Sequence, residues 1–400
     1  MTTHAPASPI DLAGPAAGAK PAARTRIEII DMMRGLVMVI MLLDHVRETF
    51  YLHKQVGDPM DVATTDPAIF FSRLAAHFCA PMFVFLTGLS AWLYANPASG
   101  EPRPVGGFLA KRGLFLVFLE VAVMGFLWTG DFPPKTIWLQ VIWVIGLSML
   151  ALAVLHRLPR GALWAIGLAL VFGHNLLTPI DFKPGESGYA LWTILHDRNF
   201  LVADGPLKVK VSYPLLPWIG VIVLGWLAGS LFGKSVEAPQ RRRTFLRLGL
   251  AALGLLLVIR GTNLYGETLP WAAQADGLRT LMSFLNYTKY PPSLDFLLLT
   301  LGGGFLGMAA WENARNALTR VLVTFGGAPM FYYLFHLLLL LVLQKLSVAV
   351  LGANHGARFG FDSMVPVWIV WIALVPVLYP PCRAFANFKR TTTQGWVRYF

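Results

Sequence analysis

The chain has 400 residues, 56% of them hydrophobic and 14% charged, with a formal net charge of +12 and a mean hydropathy of +0.59. A soluble domain carries about 25% charged residues, so this composition excludes the soluble globular class. In so apolar a chain the basic excess points to cytoplasmic loops facing anionic lipid, not to nucleic acid.

Residues 1–25 are rich in Ala, Pro and Gly and lack the apolar core of a signal peptide, which predicts a disordered cytoplasmic tail. Ten stretches then follow that are long and apolar enough to cross a bilayer: 29–52, 74–95, 108–128, 136–155, 162–178, 212–232, 245–262, 292–311, 327–351 and 363–382. Basic residues far outnumber acidic ones in the loops on one side and only balance them on the other, and the run Arg241, Arg242, Arg243 is the sharpest marker of the basic side. The positive-inside rule places that side, with both termini, in the cytoplasm. The expected fold class is all-α: a polytopic transmembrane bundle of about ten spans, with one membrane domain over 26–386 and a cytoplasmic tail over 387–400. The two cysteines, Cys79 and Cys382, fall at opposite faces in this scheme, which excludes a disulfide. The longest loops, 178–211 and 263–291, lie on the outer side, where they could cover a site.

The first span, "IDMMRGLVMVIMLLDHVRETF", carries charge where lipid should be. Arg34 and His45 are 11 residues apart, three turns plus 20°, so they share a face at a separation of roughly 16 Å. Met38 and Met41 lie between them on that face. An ionisable side chain at membrane depth is costly and marks a functional candidate. Arg34 has a structural alternative, pairing with Asp31 while its head reaches cytoplasmic phosphates. His45 beside Asp44 in the outer half is harder to explain that way.

Other polar groups fall at membrane depth. Glu120 lies near the centre of the third span, either bonded to a neighbouring helix or orienting a catalytic His. His77 opens the second span at the depth of His45, and Pro81 frees a backbone carbonyl beside it. His336 lies at mid-depth in the ninth span, one turn after Tyr332. Gln140 suits an interhelical amide bond as well as a substrate contact. Asn286 and Lys289 precede the eighth span and could bind an acceptor. Trp138, Trp143, Trp218 and Trp271 read as interfacial anchors. No P-loop, HExxH helix or GxSxG elbow occurs, and no paired-ligand spacing suggests a metal, so none is expected.

The pattern DxxRG with a His 11 residues after the Arg resembles the first helix of the transmembrane acyltransferase superfamily, which includes the acyltransferase-3 proteins. A closer resemblance, from Arg26 to about Lys345, is to a bacterial membrane family grouped with heparan-α-glucosaminide N-acetyltransferase. Its markers are "RIEIIDMMRGLVMVIMLLDHVR", "HFCAPMFVFLTGLSAWLY", "LQVIWVIG", "YPLLPWIGV", "LNYTKYPPSL" and "GGAPMFYYLFH". The resemblance implies about ten or eleven helices and transfer of an acetyl group from cytoplasmic acetyl-CoA to a sugar on the far side. His45 matches the essential His of acyltransferase-3 proteins. The heparan enzyme has Asn there and its active His slightly later, in the first outer loop, where His53 is the nearest candidate at a shorter spacing. His77 stands where that enzyme has Asp, and Val141 where it has Arg.

These readings combine into an expectation. Acetyl-CoA or another acyl-CoA docks from the cytoplasm, with its phosphates on Lys111, Arg112 and Arg241, Arg242, Arg243, and its arm passes along the Arg34 face. A glycan or a small amine or alcohol enters from outside near Asp44, Gln140, Asn286, Lys289 and His336. His45, with His77 or His53, acts as base or acyl carrier, and Glu120 orients the imidazole. The expected setting is a bacterial inner membrane, with lipid as partner, no nucleic acid, and the oligomeric state open, homodimer included. The competing expectation is a proton-coupled transporter or lipid-handling protein, whose mark would be broken helices in matching halves; none is visible.

Overall fold

A computed structural model describes residues 28–400 of the chain; the expected tail at 1–25 lies outside the described residues. The described chain is mostly helical. In order the helices are α1 (Glu28–Phe50), α2 (Pro67–Ala76), α3 (Cys79–Ala95), α4 (Gly106–Leu119), α5 (Gly125–Thr129), α6 (Val141–Leu155), α7 (Arg160–Gly173), α8 (Tyr189–Leu195), α9 (Leu216–Ala228), α10 (Ala238–Thr262), α11 (Gly277–Phe284), α12 (Leu294–Trp311), α13 (Ala317–Gly326), α14 (Pro329–Leu351) and α15 (Met364–Thr391). Among the described residues, seven helical stretches are long and apolar enough to cross a membrane: Pro67–Ala95, Gly106–Thr129, Arg160–Leu177, Ala238–Thr262, Leu294–Trp311, Pro329–Leu351 and Met364–Thr391. Three shorter apolar helices, Val141–Leu155, Leu216–Phe232 and Ala317–Gly326, accompany them. α1 has the length, at 23 residues, but its acidic and basic side chains set it apart from the seven.

The helices depart from regular geometry where polar residues demand it. The α2–α3 stretch breaks at His77 and Phe78, just before Pro81, whose ring cannot continue an unbroken helix. The stretch from Gly106 to Thr129 passes through a π-helical turn, Glu120–Met124, between α4 and α5. Wider turns of this kind cluster at functional sites.

The all-α expectation needs one correction. Strands β1 (Thr136–Leu139), β2 (Phe200–Val202) and β3 (Lys208–Val211) form a small sheet in the order β1-β3-β2, with β1 parallel and β2 antiparallel to β3. Thr136–Leu139, expected within a span, is one of its strands. The segment 387–400 is also more than a tail: α15 runs to Thr391, Val397 is buried, and Phe400 packs on Phe115 and Phe385.

One apolar core runs through the bundle, and α1 lies within it, with Val37, Met38, Leu42 and Val46 almost wholly buried. Trp143 and Trp218 are buried there too and so are not interfacial anchors, unlike the half-exposed Trp138 and Trp271. Cys79 and Cys382 are free and buried, and both lie near Tyr332 rather than at opposite faces.

Candidate active site

α1 and α14 meet through two histidines. His45 Nδ1 lies 2.7 Å from His336 Nε2, and the rings are nearly parallel, at 12°. His336 Nδ1 lies 2.7 Å from the Tyr332 carbonyl oxygen. A carbonyl only accepts, so His336 carries its proton on Nδ1 and its Nε2 is a lone pair. His45 must then donate from Nδ1, which leaves His45 Nε2 unprotonated. That is the form a general base requires, and no partner occupies His45 Nε2 among the described residues. Trp128 and Tyr333 hold the His45 ring edge-on, at 4.9 Å and 5.9 Å between centroids, so its orientation is fixed by packing as well as by the hydrogen bond.

Around the Phe50 end of α1 lies a charged shell. Asp44 accepts from Arg47 at 2.9 Å and 3.1 Å, and Arg47, almost fully buried, also pairs with Glu48. Asp58 accepts from Arg73 at 3.1 Å and from the backbone N–H groups of Lys289 and Tyr290 at 3.0 Å and 2.9 Å. Burial works against the Lys289 charge, but Tyr290 and Asp44 outweigh it and hold its pKa above the ordinary lysine value, so Lys289 stays cationic. Arg198 lies over the Tyr290 ring, 4.5 Å from its centroid. Asn286 exchanges two hydrogen bonds with the Met60 backbone, at 3.0 Å and 2.6 Å, and so ties two loops together with its whole amide.

His77 is wholly buried between α2 and α3, with its ring against Phe296 and neither ring nitrogen bonded. The charges of Asp44, Arg73 and Lys289 act on it, but it does not touch His45. Glu120 accepts from the backbone N–H of Trp143 at 3.0 Å, filling a donor left open in the first turn of α6, while its Oε1 is buried without a partner. Gln140 is the N-cap residue of α6, and its carbonyl accepts from Val144. His53 stacks face to face on His355, at 3.5 Å and 6°, and not on His45.

At the Glu28 end, Arg34 bonds Asp31 at 3.1 Å and reaches Ser90 and the Leu86 carbonyl on α3. Arg112 lies close enough for its charge to act on that of Arg34, and its Nε is buried without a partner. Lys111 is exposed. The arginine run is divided in use: Arg241 holds Glu312 through a forked ion pair and covers Phe232, Arg242 donates to the Ala309 carbonyl at 3.2 Å, and Arg243 is exposed.

The sequence model of the family described as heparan-alpha-glucosaminide N-acetyltransferase, catalytic, matches residues 26–258. The chain belongs to this family. None of the curated proteins matches it. The match takes in Arg34, His45, His53, His77, Glu120 and Gln140, and stops short of Asn286, Lys289 and His336. It is also shorter than the likeness read from the sequence, which ran to about Lys345.

Within this acetyltransferase family setting, sequence reasoning missed Trp128 and Tyr333, the walls of the His45 ring, and the Arg47, Arg73 and Asp58 shell. Arg47 carried a usable signal, being a second cation one turn after Asp44 in an apolar helix. Trp128 and Tyr333 carried none, since aromatic residues recur throughout the spans. Among the described residues no group of three or more His, Cys, Asp or Glu side chains is arranged to hold a metal.

Proposed function

We propose that the chain is a multipass membrane acetyltransferase whose general base is His45, taking its acyl group from acyl-CoA on the cytoplasmic side and giving it to a hydroxyl or amine presented from the outer side. Membership of the acetyltransferase family supports the reaction class. The single observation that supports the base is the hydrogen-bond chain from Tyr332 O through His336 to His45, which leaves His45 Nε2 as a lone pair. In this reading there are ten spans, both termini are cytoplasmic, and Arg34 and Arg112 guide the donor at the inner end.

The acceptor oxygen or nitrogen attacks the thioester carbonyl as its proton passes to His45 Nε2. The tetrahedral intermediate collapses with loss of the CoA thiolate, which takes the same proton back. While His45 is cationic, its Nδ1–H still donates to His336 Nε2, so the charge is shared across a bond that already exists. This preorganisation is the advantage of a fixed pair over a lone imidazole. Lys289 and Arg47 lie on the acceptor side of the base and suit an acceptor bearing negative charge. His77, Glu120, Gln140 and Asp44 support the walls of the site in this scheme.

The test is acetyl-CoA turnover by the purified full chain in detergent, with wild-type protein against His45→Ala. Loss of the thioester with wild type and not with His45→Ala is expected. Equal turnover by both variants removes His45 from the mechanism, and none by either removes the enzyme reading.

A further inference from the structure

Between α5 and α14 opens a cavity of about 190 Å³. Leu127, Trp128, Leu337, Leu340 and Leu341 give it an apolar lining. Trp128 is the wall it shares with the histidine pair, since the same indole meets the His45 ring edge-on. Thr49, another lining residue, donates to the His45 carbonyl at 2.8 Å, and Leu337 follows His336 directly in α14. The cavity therefore ends at Trp128, whose other side meets the proposed base.

The two helices that bound it carry exposed apolar residues, Phe126 on α5 and Leu338, Val342 and Leu346 on α14. In a chain that crosses a membrane such residues face hydrocarbon, so the cavity between these helices adjoins the lipid. At the outer rim stand two cations, Lys345 and Arg358. Lys345 lies nine residues beyond His336, about 13 Å along the helix. It stretches over Gly130, whose backbone, at φ 74°, leaves it room. Neither cation has a carboxylate partner among the described residues. An apolar cavity with two unmatched cations at its rim complements one kind of molecule: a lipid with an anionic head group.

We infer that the α5–α14 cavity binds an anionic phospholipid of the outer leaflet, with its phosphate on Lys345 and Arg358 and its chain running past Leu341 toward Trp128.

The test uses the full chain in phosphatidylcholine vesicles doped with a chain-tagged photoreactive lipid, either phosphatidylglycerol or phosphatidylcholine. Phosphatidylglycerol has a net negative charge, whereas the choline of phosphatidylcholine cancels the charge of its phosphate. The anionic lipid is expected to label α5 and α14 peptides in excess over tagged phosphatidylcholine, on the order of tenfold for two surface cations. Lys345→Gln with Arg358→Gln should remove the excess without moving the melting temperature, because both side chains reach the surface. Equal labelling by the two lipids, or labelling indifferent to the double variant, overturns the site. Leu341→Trp, which fills the cavity between its rim and Trp128, should cut the labelling as well; labelling unchanged by it would place the lipid elsewhere and overturn the site.

Discussion

Gly35 and Leu322 meet backbone to backbone: a side-chain carbon on Gly35 would lie 2.0 Å from the Leu322 carbonyl oxygen. Gly326 meets Asp31 in the same way, at 1.9 Å. Small residues let membrane helices approach this closely. These two contacts lock α1, which carries His45, onto α13, which leads into α14 and His336. Gly35→Ala should therefore destabilise the fold by about 1–3 kcal/mol or more, the range for overpacking a tight interior. Gly254→Ala in α10, where a new side-chain carbon meets nothing, is the control and should be neutral or slightly stabilising. Thermal unfolding in detergent measures both. An unchanged melting temperature for Gly35→Ala would mean that α1 and α13 are free to separate.

His45→Ala should lower turnover by roughly 10² or more, the usual contribution of a positioned acid–base group. His336 acts through His45, so its variants should separate by what they offer His45 Nδ1. Glutamine can still accept a hydrogen bond from it, and leucine cannot. His336→Gln should keep more activity than His336→Leu, and the difference should appear in kcat more than in KM. Equal losses in the two would make His336 a packing residue.

All ten apolar stretches of the sequence contain a helix, because hydropathy reports which segments prefer lipid. It does not report which polar groups pair. His45 stood out as a misplaced imidazole, but its partner lies 291 residues away, with nothing local to mark it. Glu120 looked like a catalytic carboxylate, yet one oxygen is spent on the N-terminal turn of α6, a use set by a helix 23 residues on. Asn286 looked like an acceptor ligand and instead joins two loops. The break at His77 and the π-helical turn at Glu120 were not legible, although Pro81 was a cue for the first.

The arginines at the Glu28 end should divide by role. Glu312 has only 3% of its side chain exposed and relies on Arg241, so Arg241→Ala should cost stability, about 3–5 kcal/mol if the carboxylate stays buried and charged. Arg34→Ala and Arg112→Ala should raise the KM for acetyl-CoA, and more so at low salt, because charges within reach of water are screened over about 8–10 Å. Donor KM unchanged in both, but raised in Arg243→Ala, would move the CoA phosphates to the start of α10.

The stacked pair His53 and His355 makes the segment 352–363 sensitive to acid. Burial first, then the neighbouring His355 and Lys54, holds the His53 pKa below its ordinary 6.5, with Asp362 acting the other way. His53 is therefore neutral in the closed form at neutral pH. In an open form it recovers its ordinary value, so the open form takes up the proton first. The contact is at full strength above pH 6.5 and weakens as pH falls through the window below it. Amide hydrogen exchange over 352–363, corrected for its intrinsic pH dependence, should show protection at about pH 7.5 that is reduced at about pH 5. His53→Phe keeps a flat ring against His355 and loses this proton, so its protection should change less over the same range. Arg358 sits in this segment, at the rim of the α5–α14 cavity, so the same acidification should loosen one of the two cations there. Protection that holds through pH 5 in the wild type would mean that Asn354 and Gln344, which bond Gly360 and Phe359, fix the segment without help from the histidines.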